Sequence, residues 1–289
     1  MRSLQSALLR IRFRWGHYAH SAWREDQELS DFDSSRVELI DLRSDVADAA
    51  ERRLLCYDFF SSVYKHAFPK LDQIETPDVW LPLINHDHPP PAPILHLIVA
   101  CKPPRAERAG VVVGGIVIEY YRGSRAALAT YLAVAPRERR GGLGRRLVAR
   151  AIDAVAADNG GARPVVFAEV ERPEAQHNDH DRRSAQARLS TIAALGGRKL
   201  DLEYVQPRLG AGQEPVEDLM LVVLAPGGQA PDSIPRATVE AFISEFFDSL
   251  GQRGTQELER VIKSLAADKI SLGEFNQDDQ CHRRPRRCP

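Results

Sequence analysis

Hydrophobic and polar positions change their period along this chain, and the changes mark out its elements. Residues 36–42 (RVELIDL) alternate as a strand does. From Asp45 the spacing lengthens, and Val46, Ala49, Leu54, Leu55, Phe59, Phe60 and Val63 trace a helix that ends before Pro69. Thr76-Pro77 opens a short helical stretch with Trp80, Leu81 and Leu83, because proline is preorganised for a first helical position. Residues 85–93 (NHDHPPPAP) are loop. Three apolar runs follow, 93–101, 110–121 and 126–135, and their turn-rich joins predict antiparallel strands. Gly114-Gly115 in the middle run predicts a bulge or a close backbone approach.

After Pro136 the period becomes helical again: Leu143, Leu147, Val148, Ala151, Ile152 and Val155 lie on one face, with arginines on the other. Residues 163–170 (RPVVFAEV) read as a buried strand and 171–181 as polar loop. Residues 183–195 read as a second amphipathic helix that stops at Gly196-Gly197. Two more strands are expected at 199–206 and 217–224. A linker over 227–235 then leads to a helical extension over 236–272, with a second helix at 257–265. Its stripe of Val239, Phe242, Ile243, Phe246, Phe247 and Leu250 needs cover, either from the domain or from a second copy in a homodimer.

The ends of the chain have a different character. Before Glu25 there are five arginines, two histidines and no acidic residue, with Trp15, Tyr18 and Trp23 interleaved; residues 1–35 are read as a poorly ordered basic arm. Residues 273–289, ending CHRRPRRCP, cannot build a core and are read as a disordered basic tail. Between the ends, 289 residues with 43% hydrophobic and 27% charged positions suffice for one large core. A formal net charge of -1 provides no global field for nucleic acid or membrane. The four cysteines show neither metal spacing nor a disulfide framework, which fits a reducing cytoplasm. Neither His86-x-His88 nor His177 with His180 has a convincing ligand set, so no metal is expected.

The chemistry is concentrated in 131–158, a strand, a Gly-rich turn and a helix. Such a turn leaves helix-start N–H groups without partners and aimed one way, and the helix dipole adds positive charge there. Glycines admit a ligand to the backbone, and Arg137, Arg139, Arg140, Arg145 and Arg146 suit an anion. A dinucleotide fingerprint would need a third glycine where Leu147 stands, and a P-loop would need Lys after Gly144, where Arg145 stands.

Arg139-x-x-Gly142-x-Gly144, preceded by Leu132-x-Val134-x-Pro136, resembles the acyl-CoA pyrophosphate loop of the GCN5-related N-acetyltransferases (GNAT). Element order over 36–226 is similar to theirs, which implies an α/β fold with a mixed, mostly antiparallel sheet flanked by helices. By that resemblance Leu132, Ala133 and Val134 would bind the pantetheine arm of acetyl-CoA. Arg139, Arg140, Gly141, Gly142, Leu143, Gly144 and Arg145 would hold its pyrophosphate. The resemblance implies acyl transfer from CoA to the amine of a small molecule or peptide, by direct attack on the thioester. Glu169, Glu171 and then Glu119 are the candidates for the base such an amine needs. The chain departs from the pattern at Ile192, where the family often has a tyrosine acid. That departure keeps a second reading in view, a catalytically inactive acyl-CoA-binding or assembly module of the same fold.

Overall fold

A computed structural model describes residues 37–68, 75–103, 110–208, 213–225 and 231–275. The arm expected over 1–35 and all but the first three residues of the expected tail lie outside them. Chain order is β1 (Glu38–Asp41), α1 (Ala49–Phe59), a π turn (Phe60–Tyr64), α2 (Lys65–Ala67), α3 (Pro77–Asn85), β2 (Ile94–Lys102), β3 (Val111–Tyr121) and β4 (Ala126–Val134). Then come α4 (Leu143–Asp158), β5 (Val165–Glu171), α5 (Asp179–Ala194), β6 (Gly197–Leu200), β7 (Leu219–Leu224), β8 (Ser233–Pro235), α6 (Arg236–Ser249), α7 (Gln256–Ser264) and β9 (Lys269–Gly273). No described helix is long and apolar enough to cross a membrane.

The strands form one sheet in the order β1-β2-β3-β4-β5-β7-β6-β9-β8. Every neighbouring pair is antiparallel except β4 with β5. Alternation puts Ile116, Ile118, Ala129, Leu132 and Val166 on one face, where the apolar stripes of α4 and α5 cover them. The other face has two covers. Near β2 and β3, the aromatic side chains of α1, its π turn and α3 (Phe59, Tyr64, Trp80) pack around Tyr131 of β4. Gly115 lies under Phe59: a Cβ there would stand 2.6 Å from the ring, so the close approach expected at this glycine is realised.

Near β5 and β7 the cover comes from α6. Phe242 stacks on Phe167 with centroids 4.3 Å apart and meets Tyr121 edge-on at 5.7 Å. The Phe stripe therefore packs on the sheet of its own chain. Glu245 of the same helix accepts from the N–H groups of Gly123 and Ser124 in the β3–β4 turn, at 2.9 and 2.6 Å.

Three local readings change. The extension ends in a strand, β9, which pairs with β8 in the stretch expected as linker; Ile270 and Leu272 are buried between exposed neighbours, a two-residue period only five residues long. The strand expected over 199–206 ends at Leu200; beyond it the N–H of Leu202 turns back to the carbonyl of Leu200, and Tyr204 enters the core. Helix α5 begins within the stretch expected as loop, since the Asn178 side chain caps the N–H of Asp181 at 2.9 Å. Asp179 and Asp181 are thus first-turn acids of a helix, and His180 lies beside Asp181.

At the far end of α4, His96 of β2 sits between Asp41 and Asp158, each 2.7 Å from a ring nitrogen. Burial opposes the charged ring, but hydrogen bonds to Asp158 and Asp41, with their charges, push its pKa up to about 9. A group raised in the folded state stabilises fully below its unfolded value, and the contribution disappears as pH rises through the folded one. Melting temperature should therefore fall between about pH 6.5 and 9, with a linked free energy on the order of 3 kcal/mol. Melts at pH 6 to 10 check this; a His96→Gln protein should show a flatter profile from a lower start.

Candidate functional site

β4 and β5 pair in parallel from Ala126↔Val165 to Ala129↔Ala168 and then part. Beyond that point β4 stays with β3 as far as Val134, and β5 stays with β7 as far as Glu171, so a wedge opens between them. A bulge marks its apex: Val117 pairs with Tyr131 and Ile118 with Ala129, leaving Thr130 as an extra residue in β4. Thr130 and Glu169 are the first residues past the last pair, one on each wall.

The N–H of Ala135 donates to the carbonyl of Val113 at 2.9 Å. Antiparallel alternation then turns the backbone groups of Ala133 toward Gly115, and those of Leu132 and Val134 into the wedge. Of the three residues expected along an acyl-CoA arm, Ala133 thus has its peptide groups engaged with β3. The Val134 carbonyl accepts from Arg139 Nε at 3.0 Å.

The loop after β4 lies at the mouth of the wedge. Arg140 and Gly142 have left-handed backbones, with φ of 69° and 79°, and together they turn the chain into α4. Unlike α1, α5 and α7, helix α4 has no side-chain cap, and its first turn has no acidic residue. The N–H groups of Leu143, Gly144 and Arg145 precede the first helical bond, from Arg146 to Gly142. A Cβ built on Gly144 would meet nothing within 4 Å, so the space in front of this helix start is open. The arginines are partly engaged with backbone: Arg145 donates to the Ala194 carbonyl at 3.0 Å and Arg146 to that of Val37 at 2.7 Å, while Arg140 is exposed.

The three candidate carboxylates are buried and differ sharply in their partners. Glu171 pairs with Arg188 of α5, whose cation offsets its charge. Glu119 accepts from Tyr121 at 2.7 Å, and it sits opposite Leu128, below the wedge and under α6. Glu169 stands at the apex. One of its oxygens accepts from Tyr204 at 2.5 Å and the other from Gln206 at 2.7 Å. With a donor on each oxygen, the Glu169 carboxylate is fixed in place as a hydrogen-bond acceptor. Burial, then the Glu169 charge and hydrogen bond, raise the Tyr204 pKa well above its usual value. Tyr204 is therefore a poor acid and acts as a holder of Glu169. Ile192 is buried where α5 meets β6; a Cβ on Gly197 would lie 2.3 Å from it.

The sequence reading missed Thr130 and Gln206. Thr130 is the one hydroxyl other than a tyrosine's in an otherwise apolar strand, a signal that was there to read. Gln206 carries none.

Residues 57–179 match the sequence model of the acetyltransferase (GNAT) family. This stretch is a GNAT acetyltransferase domain. Its mixed sheet flanked by helices is the GNAT fold, as the loop motif implied. No curated protein matches the chain in sequence. Among solved structures, an acetyltransferase assigned to the GNAT family from Bacteroides thetaiotaomicron overlaps 66% of this chain and 86% of its own, at 16% identity and a TM-score of 0.40. Tetrahymena GCN5 overlaps 65% and 97%, at 18% identity and 0.38. The ribosomal-protein-S18-alanine N-acetyltransferase of Escherichia coli overlaps 68% and 98%, at 16% and 0.34. Overlaps this loose leave the assignment to the family match and to the loop and strand order. Membership supports acyl-CoA-dependent acyltransferase activity.

Proposed function

We propose that this GNAT domain transfers an acetyl or other short acyl group from CoA to an amine in the wedge between β4 and β5, with Glu169 as the base. The observation that carries the reading is the convergence of an uncapped helix start at the wedge's mouth and a buried, doubly held carboxylate at its apex. The pyrophosphate lies on 139–145, held by the N–H groups of Leu143, Gly144 and Arg145 and by the positive end of α4. The pantetheine amides run along Leu132 and Val134 as a further strand edge. Bound CoA supplies the activated acyl group.

An ammonium has no lone pair to attack with, so Glu169 first takes one of its protons. The amine then forms the C–N bond, and the C–S bond breaks with its electron pair going to sulfur. The second nitrogen proton ends on that sulfur as the thiol, and the proton on Glu169 returns to solvent. Loss of the family's tyrosine acid is tolerable, because a simple thiol has a pKa of about 8.5 and leaves readily near neutral pH. Glu171 is less suited to this role because Arg188 offsets its charge, and Glu119 because it lies below the parting of the strands.

Calorimetric titration with acetyl-CoA, followed by thiol release with a panel of amines and peptides, tests the reading. Gly144→Val should fold, since nothing stands within 4 Å of its Cβ, and should block the pyrophosphate. Losing one or two charged hydrogen bonds of about 1.5–3 kcal/mol each predicts at least about tenfold weaker binding. Undiminished affinity in folded Gly144→Val would remove the pyrophosphate from this loop.

A further inference from the structure

Helix α4 is held to the sheet by apolar contacts and to residues 37–45 by polar ones. Arg146, Arg150 and Asp158 fall in one row of the helix, four residues apart, with small Ala154 completing it. Arg146 donates to the Val37 carbonyl at 2.7 Å, and Arg150 donates to both oxygens of Asp45 at 2.8 and 3.1 Å. Asp158 is joined to Asp41 through His96, at 2.7 Å on either side of the ring. A cavity of about 390 Å³ lies beside Ala154, between these ties. The segment that makes them is itself braced, since Asp45 accepts from the Asp41 N–H at 2.8 Å. It lies outside the family match at 57–179.

The polar ties do what the apolar contacts cannot. Burial of apolar surface is non-directional and tolerates a small slide of the helix along its axis, whereas hydrogen bonds to fixed points do not. The tie through His96 depends on a proton. Charged, the ring donates from both nitrogens; neutral, it has one hydrogen left. Asp41 is fully buried and also held by the Arg43 N–H at 3.1 Å and the Ser44 hydroxyl at 2.9 Å, while the Asp158 side chain is 25% exposed. The remaining hydrogen therefore stays on Nδ1, facing Asp41. Nε2 then faces Asp158 as acceptor against acceptor, and Asp158 turns to water.

The other groups around the ring do not take part. Residues 37–45 bring Arg43 and Asp45, α4 brings Arg150 and Asp153, and β3 brings Tyr120. Arginine and aspartate keep their charge between pH 7 and 10, and burial raises the Tyr120 pKa. His96, with its pKa pushed up to about 9, is the group that changes.

We propose that residues 37–45 are a strap that positions α4 for acyl-CoA, and that His96 is its proton-dependent fastening. This rests on the acyltransferase reading above for its ligand. Asp158 lies about 20 Å along the helix from Arg145, at about 1.5 Å per residue, so it acts on the pyrophosphate loop only through the helix. Arg150, Asp158 and His96 are thus positioning residues.

The test uses the full chain and acetyl-CoA, by calorimetry at pH 7 and pH 10, in wild type and Asp158→Asn. An amide keeps the size of the carboxylate and faces either form of the ring, as acceptor or as donor, so its tie does not need the proton. From pH 7 to pH 10 the wild-type Kd should rise about fivefold more than that of Asp158→Asn, the low end of coupling between linked sites. A merely structural Asp158 would shift Kd equally at both pH values. Nitrogen-15 spectra of wild type, with His96→Gln to assign the signal, should show both ring nitrogens protonated at pH 7 and Nδ1 alone at pH 10. An equal rise of Kd in the two proteins overturns the strap's hold on the ligand, and a neutral ring protonated on Nε2 overturns the fastening; both leave the acyltransferase reading standing. A chain that binds no acetyl-CoA at pH 7 overturns that reading and this inference with it.

Discussion

Glu169→Gln is expected to leave acetyl-CoA affinity intact and to lower turnover by about 10²–10⁴, the usual worth of a general base. The loss follows from the state of the acceptor: a lysine-like amine with a pKa near 10.4 is almost wholly protonated at pH 7 and cannot attack until a proton is removed. Glutamine keeps the size and still accepts through its oxygen, but it cannot take a proton. The deficit should therefore shrink as pH rises and more of the amine arrives neutral. Steady-state thiol release at pH 7 to 9.5, with calorimetry beside it, measures both parts. Glu171→Gln and Glu119→Gln should cost turnover far less. A Glu171 variant as slow as the Glu169 variant would move the base one alternate residue along β5.

Phe242→Ala should be the most damaging single change to the fold outside the site, at about 3–5 kcal/mol. Its ring touches Phe167, Tyr121 and Phe246 at once, with centroids 4.3, 5.7 and 5.9 Å away, and no neighbour can close the hole it would leave. A loss of that size is a large share of the 5–15 kcal/mol by which a typical domain is stable. Deleting 236–272 should go further and give an insoluble or molten product, because Tyr121, Phe167, Leu221 and Val223 would face water with α6 gone and β6 would lose β9. Chemical denaturation of Phe242→Ala and solution mass of the deletion check the two. A deletion that stays monomeric and melts where wild type does would mean that α6 merely decorates the domain.

Much of the sheet could be read from the chain because its cause is local. Alternation in 126–134, helical spacing from Leu143 and a glycine turn between them are decided within a few residues of one another. The Gly-rich turn was legible for the same reason, since left-handed Gly142 and the bare start of α4 are properties of consecutive residues. Where local signals were short or competing, they misled. Five alternating residues at 269–273 were lost inside a helical reading, and 201–206 looks like strand until Tyr204 is seen turning inward to Glu169.

Sequence alone thus determined the fold class, the Gly-rich turn into α4 and which three glutamates to compare. Only tertiary structure could rank those glutamates, because what separates them lies far away in the chain: Arg188 is 17 residues from Glu171, and Tyr204 and Gln206 are 35 and 37 residues from Glu169. A carboxylate's chemistry is set by the donors and charges within a few ångströms of it, and no spacing rule brings those together. The same holds for the Phe stripe, whose period announced a buried face but not what buries it. That was settled by Phe167, some 75 positions upstream, offering a ring that Phe242 could stack on.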